Sequence, residues 1–244
     1  MFRKYKRLFF YKLKKKINID EDSNKKQSSL DYLFNYYGTD KANYWDKHKG
    51  HGFSDFYAKE LDDKKNKKIN ILEIGSYSGA SAAAFSKYFP LSKIYCLDVN
   101  ITNFVYKSKQ INVFGLDVTK KSDLFYFYKK VNITEDVKFF DIIIDDGSHK
   151  LNDIIFSLKF FFKNLKDKGN YIIEDFRFPN YFKHLDNKNE IKVDEILKNL
   201  EKKIFFDSLI INKEDQKYLM NSIQNIKTYS GNSKNSDIAF IKKI

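Results

Sequence analysis

Short apolar runs alternate with amphipathic stretches from residue 69 onward, and this alternation predicts an α/β fold. Five runs have the length and composition of buried strands: 69–74, 93–98, 111–116, 139–144 and 171–173. Helices are predicted between and after these runs, at 79–88, 121–128, 152–165 and 193–204. The first of these stretches is rich in small residues, and the others have apolar residues at helical spacing. Strands that alternate with helices favour a mostly parallel, doubly wound sheet.

Together with the sequence on either side of it, this region predicts a single domain over 29–244 that has a helical extension at its N-terminal side. Two short helices are expected at 29–37 and 51–61, before the first strand. Gly169 is expected to end the helix over 152–165. After the last helix, 223–229 and 237–242 predict a closing pair of strands, which adds a C-terminal antiparallel strand to the sheet.

Residues 1–28 are predicted to form a basic arm, and their composition restricts the roles that this arm can have. Its apolar stretch is too short for the core of a secretory signal, and no apolar run in the chain approaches the roughly 18 to 20 residues that span a bilayer. The arm is interpreted as a solvated basic helix or a frayed end, or as a segment that docks loosely on an anionic membrane surface.

A single cysteine, Cys96, excludes a disulfide framework and fits a cytoplasmic protein. We therefore expect a cytoplasmic location, with the arm as a potential contact to the inner membrane face.

The net charge of +13 suggests a nucleic-acid partner, but the kind of basic residue argues against one. All but three of the 45 basic residues are lysines, and they are spread along the chain. Arginine is the residue that grips phosphate and guanine bidentately, and it occurs only at Arg3, Arg7 and Arg177. No nucleic-acid partner is expected.

The turn after the first predicted strand has the composition of a cofactor loop. It reads EIGSYSG over residues 73–79, without the G-x-G-x-x-G spacing that places a pyrophosphate at a helix N-terminus. Glu73 would repel a pyrophosphate and suits a cationic amine, such as that of methionine. Asp98 ends the second strand, where it can accept hydrogen bonds from ribose hydroxyls, and Asp117 ends the third, near an adenine. A nicotinamide enzyme is disfavoured.

Acidic residues follow the fourth and fifth predicted strands. The fourth ends in DDGSH over 145–149 and the fifth in ED at 174–175. Carboxylates that share one cleft repel one another unless a cation lies among them, and hard divalent cations prefer oxygen ligands. Asp146, Glu174 and Asp175 are the candidate ligands, and His149 is the candidate base that takes a proton from a hydroxyl acidified by the metal.

These motifs resemble the metal-dependent sugar O-methyltransferases typified by the macrocin and mycinamicin O-methyltransferases. The resemblance lies in LEIGSYSGAS, the strand that ends in Asp98, DDGSH and IIEDF, preceded by YGTDK at 37–41 and HGF at 51–53. Cephalosporin hydroxylase-like and rhamnosyl O-methyltransferase proteins share parts of the pattern. The resemblance runs from about Gly38 to Asp175 and includes the last strands, and the loop has fewer glycines than in many methyltransferases.

The resemblance implies a Rossmann-like class I methyltransferase fold, S-adenosylmethionine as cofactor and a magnesium ion or another divalent cation at Asp146, Glu174 and Asp175. It implies His149 and Asp146 as catalytic residues. The candidate cofactor-binding residues are Thr39, Lys41, Glu73, Gly75, Ser76, Tyr77, Asp98, Asp117 and Asp145.

The predicted activity is methyl transfer to a sugar hydroxyl, on a nucleotide-activated or glycan-linked sugar of the kind used to build a capsule or lipooligosaccharide. Two alternatives stay open. One is a nucleic-acid methyltransferase of the same fold, although enzymes that methylate base amines usually carry a proline pair after the fourth strand, and the only prolines here are Pro90 and Pro179. The other is a non-catalytic partner that binds S-adenosylmethionine. A homo-oligomer is a further expectation.

Overall fold

A computed structural model describes residues 2–22, 28–45 and 48–244 of the chain. The chain divides into two compact units, Met1–Val118 and Thr119–Ile244. The division predicted from sequence, an arm over 1–28 and one domain over 29–244, stays a prediction. Residues 1 and 23–27 of that arm lie outside the described residues.

The first unit contains three parallel strands in the order β4-β5-β7, together with two short strand pairs. The parallel strands are β4 (Asn70–Ile74), β5 (Lys93–Asp98) and β7 (Ile111–Gly115). The short strands are β1 (Ile17–Asn18), parallel to β6 (Tyr106–Lys107), and β2 (Tyr44–Trp45), antiparallel to β3 (His48–Lys49). β4 is almost fully buried, as its apolar run predicts.

Four α-helices lie in the described part of this unit, namely α1 (Phe2–Leu13), α2 (Leu30–Tyr37), α3 (Ser54–Leu61) and α4 (Ala80–Tyr88). Ser29 caps α2 by accepting a hydrogen bond from the Tyr32 amide, and Gly38 ends the helix in the left-handed conformation. The rings of Phe34, Tyr57 and Phe85 meet edge-on with centroids 5.3–6.0 Å apart, and this cluster joins α2, α3 and α4.

The second unit contains four strands in the order β10-β11-β9-β8. They are β8 (Phe140–Asp145), β9 (Leu165–Glu174), β10 (Ile223–Ser230) and β11 (Asp237–Lys243). β8 and β9 are parallel, whereas β11 is antiparallel to both β9 and β10. The closing pair of strands predicted at the C-terminal side is therefore present. The helices of this unit are α5 (Lys121–Val131), α6 (Leu151–Phe161), α7 (Phe178–Tyr181), α8 (Val193–Lys202) and α9 (Lys213–Ser222).

The sequence-based prediction was wrong about the boundary between α6 and β9. The helix ends at Phe161 and β9 already begins at Leu165, so Gly169 lies inside the strand and does not end the helix. The register with β8 shifts after Phe140, and Lys168 has a positive φ of 61°. A Cβ at Gly169 would lie 2.7 Å from the Lys166 carbonyl oxygen. The glycine therefore permits an irregularity in the strand, which composition alone does not distinguish from a helix end.

Gly79 begins α4 in a conformation and a space that only glycine fits. Its φ is 79°, and an added Cβ would lie 2.4–2.7 Å from ring atoms of the buried Phe104. Gly38 has the same kind of φ, at 81°, but an added Cβ there would meet only the Trp45 ring nitrogen, at 3.8 Å. Comparing an alanine substitution at each position therefore separates the free-energy cost of the backbone conformation from the free-energy cost of steric crowding.

We expect Gly79→Ala to lower the free energy of unfolding by about 1–3 kcal/mol more than Gly38→Ala does, because both changes strain the backbone but only the first forces Phe104 to move. Denaturant unfolding of the two variants measures the difference. Equal losses would show that the ring moves aside without cost.

Candidate active site

In the first unit, the Asp98 carboxylate holds the turn that follows β4. Its Oδ2 accepts a hydrogen bond of 2.8 Å from the Tyr77 amide, and its Oδ1 accepts one of 2.6 Å from the Asn100 amide. Gly75 and Gly79 take positive φ values of 86° and 79° on either side of Tyr77. The residue predicted to bind a ribose therefore also fixes the loop beside it, with lone pairs left on each oxygen for a ligand.

Glu73 lies directly below this turn and is fully buried. Its Oε1 accepts a hydrogen bond from the Ser81 hydroxyl, and its Oε2 lies 4.0 Å from Cys96 Sγ. Burial and the nearby Glu73 charge raise the pKa of the Cys96 thiol well above its ordinary value, so the thiol stays protonated. A direct contact between Glu73 and the amine of a cofactor stays a prediction.

The other predicted cofactor residues differ widely in exposure. Tyr77 is 66% exposed, and Asp117 is half-buried just beyond β7. Thr39 and Lys41 are buried in the segment that leads to α3, where the Thr39 hydroxyl accepts a hydrogen bond from the Lys41 amide. Of this set, the contacts of Gly75, Ser76 and Tyr77 with a ligand remain predictions, as do those of Thr39 and Lys41.

In the second unit, the parallel pairing of β8 with β9 brings two acidic loops together. Asp145 pairs with Ile173, so the residues that follow each strand leave the same edge of the sheet. Asp146, His149 and Asp175 each offer a ligand atom, and these atoms lie within 4.8 Å of one another. The predicted ligand Glu174 is buried at the end of β9, next to Asp175, but it is not a member of this group of three.

His149 is fixed between a carboxylate and an aromatic ring. Its Nε2 lies 3.6 Å from Asp146 Oδ1, and its ring centroid lies 5.0 Å from that of Phe178. The side chains of His149 and Asp146 keep 21% and 23% of their exposure. The imidazole is thus oriented, partly accessible and next to a carboxylate.

Asp145, one residue before the group, is buried in a different environment. Its Oδ1 accepts a hydrogen bond of 3.3 Å from the Gly147 amide, while Oδ2 is buried without a well-formed hydrogen bond, with the Tyr171 hydroxyl nearby. Burial raises the pKa of Asp145 from its ordinary value of 3.8 to about 7, and the Asp146 charge adds to the shift. The side chain therefore helps to shape the base of the loop, and its predicted contact with a cofactor stays a prediction.

The loop after β9 is tied to the start of β11. The Asp175 amide donates a hydrogen bond of 2.7 Å to the Asp237 carbonyl, and Arg177 Nε donates one of 2.9 Å to the Asp237 carboxylate. Burial raises the pKa of Asp237, and the Arg177 charge acts in the opposite direction. This ion pair holds the chain that carries Asp175 against the sheet.

Each of the three loops that carry candidate site residues, after β4, β8 and β9, contains a residue with a strained backbone. Among the described residues, six that are not glycine have a positive φ, and three of them are candidate site residues: Tyr77 at 41°, His149 at 54° and Asp175 at 50°. Such conformations cost about 1–3 kcal/mol each and persist only where the surrounding contacts impose them. The contacts that impose them include the hydrogen bond of Tyr77 to Asp98, the contact of His149 with Asp146 and the hydrogen bond of Asp175 to Asp237.

Sequence reasoning did not identify two residues that support the candidates. Ser81 holds the buried Glu73, and its position on the first turns of α4 was the available signal. Asp153 accepts a hydrogen bond of 2.6 Å from the Ser148 hydroxyl and so fixes the DDGSH loop to the first turn of α6. Both are short polar side chains next to a helix start, a pattern too common to single them out.

Curated relatives of the chain are sugar O-methyltransferases. The chain is 30% identical to the L-olivosyl-oleandolide 3-O-methyltransferase of Streptomyces antibioticus over 139 residues, a match that covers 54% of this chain and 34% of that relative. Over 132 residues it is 28% identical to the mycinamicin VI 2''-O-methyltransferase of Micromonospora griseorubida, or 51% of this chain and 31% of that relative. No protein-family model matches. The matched segment thus spans only about a third of the length of these relatives, and the resemblance seen in the motifs is confirmed.

A solved structure of the MycE methyltransferase from the mycinamycin biosynthetic pathway, in complex with Mg and SAH, matches 88% of this chain and 55% of its own, with a TM-score of 0.67 and 24% identity. The chain has the Rossmann-like fold of class I methyltransferases. A second MycE structure, which also contains mycinamycin VI, matches 90% of the chain with the same TM-score. The α/β fold predicted from the alternation of strands and helices, and the class I methyltransferase fold implied by the resemblance, are therefore confirmed.

The raised pKa of Asp145 predicts a pH-dependent stability. Between about pH 4 and pH 7 the folded protein holds a proton that the unfolded chain has lost, so the free energy of unfolding rises as the pH falls through 7. We expect Asp145→Asn, which removes this titration, to stabilise the protein by on the order of 2 kcal/mol more at pH 8 than at pH 5.

Denaturant unfolding at the two pH values, in EDTA, tests this expectation. Every other titrating group is common to both proteins, so the difference between them isolates Asp145. The same stability difference at both pH values would mean that burial does not shift this carboxyl group.

Proposed function

We propose that this chain transfers the methyl group of S-adenosylmethionine to a hydroxyl group of a sugar, with a divalent cation bound in the second unit. The observation that carries the proposal is the group formed by Asp146, His149 and Asp175 at the ends of two parallel strands of a class I methyltransferase fold. The similarity to sugar O-methyltransferases supports the reaction type.

The first unit is proposed to bind the cofactor. The turn after β4 is held by Asp98, leaves Tyr77 exposed and contains glycines at both sides, which lets a ligand approach the backbone closely. We propose that Asp98 accepts hydrogen bonds from the ribose, that Asp117 lies near the adenine and that the exposed Tyr77 ring packs against the nucleoside. MycE, which shares this fold, was solved with SAH.

The carboxylates of Asp146 and Asp175 are proposed to hold the cation, together with Glu174. Their oxygens suit Mg²⁺, which MycE contains in its solved structures. When bound, a divalent cation supplies a Lewis acid that lowers the pKa of a coordinated hydroxyl group. Without one, the adjacent carboxylates would repel each other, which fits residues selected for cation binding rather than for stability.

His149 is proposed to act as the general base rather than as a metal ligand. Mg²⁺ prefers oxygen over imidazole nitrogen, which leaves the imidazole available to take the proton of the sugar hydroxyl. Asp146 lies 3.6 Å from Nε2 and stabilises the imidazolium that forms. Phe178 covers one side of the ring and limits its movement. Methyl transfer to the resulting oxyanion then depends mainly on alignment of donor and acceptor.

The acceptor is proposed to be a nucleotide-activated or glycan-linked sugar, as in the synthesis of a capsule or lipooligosaccharide. The relatives named above act on sugars of macrolides, and one MycE structure contains such a compound, so macrolide-linked sugars form the other class to be tested. We propose a cytoplasmic enzyme without a nucleic-acid substrate, because the basic residues are mostly lysines spread along the chain.

Cofactor binding by the first unit is tested with Asp98→Asn. The change removes one carboxylate oxygen and the charge, so we expect the Kd for S-adenosylhomocysteine in calorimetry to rise about tenfold or more. Asp207→Asn removes an exposed carboxylate and should leave the Kd unchanged. Unaltered affinity in Asp98→Asn would remove Asp98 from the proposed cofactor site.

The reaction is tested by incubating the protein with labelled S-adenosylmethionine and a panel of nucleotide-sugars, glycans and sugar-bearing macrolides, with Mg²⁺ or with EDTA. We expect label in a sugar, lost in EDTA. Two variants separate the roles of the residues, and asparagine is used for both because it tolerates a positive φ. Asp175→Asn should weaken Mn²⁺ binding about tenfold or more, whereas His149→Asn should preserve Mn²⁺ binding and lower the rate by about 10²–10⁴-fold.

Turnover in EDTA at the full rate would refute the role of the cation. If His149→Asn weakens Mn²⁺ binding as much as Asp175→Asn does, His149 is a ligand and another group is the base. Label in no acceptor of the panel, from a protein that binds the cofactor, would favour a non-catalytic binding protein.

A further inference from the structure

Helix α1 packs against the rest of the first unit through its cationic side rather than its apolar side. Arg7 Nη1 donates a hydrogen bond of 2.6 Å to the Val99 carbonyl, and Lys14 Nζ donates one of 3.1 Å to the Thr102 carbonyl. Between them, Tyr11 meets Phe104 edge-on with ring centroids 6.4 Å apart. Positions 7, 11 and 14 share one face of a helix, so this is the face that docks.

The opposite face of α1 is apolar and exposed. Tyr5, Phe9 and Leu13 recur every four residues and are 65%, 60% and 66% exposed. Lys6 and Lys12 are exposed beside them. A surface helix of a soluble domain usually buries its apolar side and exposes its charges, and α1 has the reverse arrangement. We call Tyr5, Phe9 and Leu13, with Lys6 and Lys12, the outer face.

The surroundings of the outer face are apolar and positively charged as well. Leu8 and Phe10 are 39% and 49% exposed on its two sides. A groove of about 490 Å³ opens next to it, lined by Phe10, Leu13, Lys14 and Thr102. Residues 1–17 contain eight lysines and arginines and no acidic residue. The outer face thus joins aromatic and aliphatic side chains to ammonium groups within one patch.

We propose that the outer face of α1 docks the protein on an anionic bilayer surface. Aromatic and leucine side chains enter the interface between head groups and acyl chains, while flanking lysines extend to anionic head groups. A lysine near an anionic leaflet adds attraction that salt screens. None of the helices in the described part of the chain is long and apolar enough to cross a membrane, so the helix would lie on the surface.

Other occupants fit the outer face less well. A second copy of the chain would bring its own Lys6 and Lys12 against the same charges, which disfavours self-association. A nucleic acid would use the charges but would leave Phe9 and Leu13 without an apolar partner, and Arg7 is already engaged with a carbonyl. An anionic lipid offers both a negative head group and an acyl chain.

The proposal is tested by co-sedimentation of the full chain with phosphatidylcholine vesicles that contain or lack phosphatidylglycerol, at low and high salt. We expect binding to the anionic vesicles to be about tenfold stronger than to the neutral ones, and to weaken with salt. Phe9→Ser/Leu13→Ser should reduce it about tenfold or more. Phe125→Ser removes an aromatic ring that is 72% exposed on α5 and serves as the matched control, with binding unchanged.

Thermal unfolding and S-adenosylhomocysteine binding, both expected to be unchanged in these exposed variants, keep the test separate from folding and from the proposed enzyme activity. The proposal is overturned if neither vesicle binds the protein or if the double variant binds as well as the wild type. It is also overturned if sedimentation velocity shows a dimer that the double variant abolishes, or if the outer face binds RNA in preference to vesicles.

Discussion

The parallel pairing of β8 with β9 is the contact on which the candidate metal site depends. Because Asp145 is paired with Ile173, the loops that follow both strands leave the sheet at one edge, and their carboxylates are forced into a small volume. Mutual repulsion at such distances is unfavourable in a protein without a cation. The strand pairing thus brings together carboxylates whose repulsion a bound divalent ion would offset, and in this way the fold favours cation binding at this edge of the sheet.

Both candidate loops depend on contacts that force the backbone into an unfavourable conformation. The Asp98 carboxylate fixes Tyr77 in one loop, and the link to Asp237 fixes Asp175 in the other. In each case a buried or half-buried acidic residue at a strand end acts on the neighbouring turn. Strain imposed in this way keeps a site organised before a ligand arrives, so that less ordering is left to binding.

Helix α1 illustrates how a chain can satisfy its charges without burying its apolar side. Arg7 donates to the Val99 carbonyl, just before the 3-10 turn over Ile101–Asn103, and Lys14 donates to the Thr102 carbonyl within that turn, while the outer face remains exposed. Exposed apolar patches of this kind commonly mark contact surfaces. The same arm also makes the β1–β6 pair with the rest of its unit, so the orientation of α1 is supported on more than one side.

The sequence alone determined the order of strands and helices and the strand ends that carry acidic residues, because period and run length of apolar residues depend only on local geometry. It predicted the bounds of β5 residue for residue. It missed α7 and the strand irregularity around Gly169, where local composition resembles a turn. It also missed α9, in which apolar residues are few. Only the tertiary structure decided that His149 joins Asp146 and Asp175, that Glu73 is enclosed with Ser81, and which side of α1 faces outward. These depend on register and side-chain packing between segments distant in sequence, which no local pattern encodes.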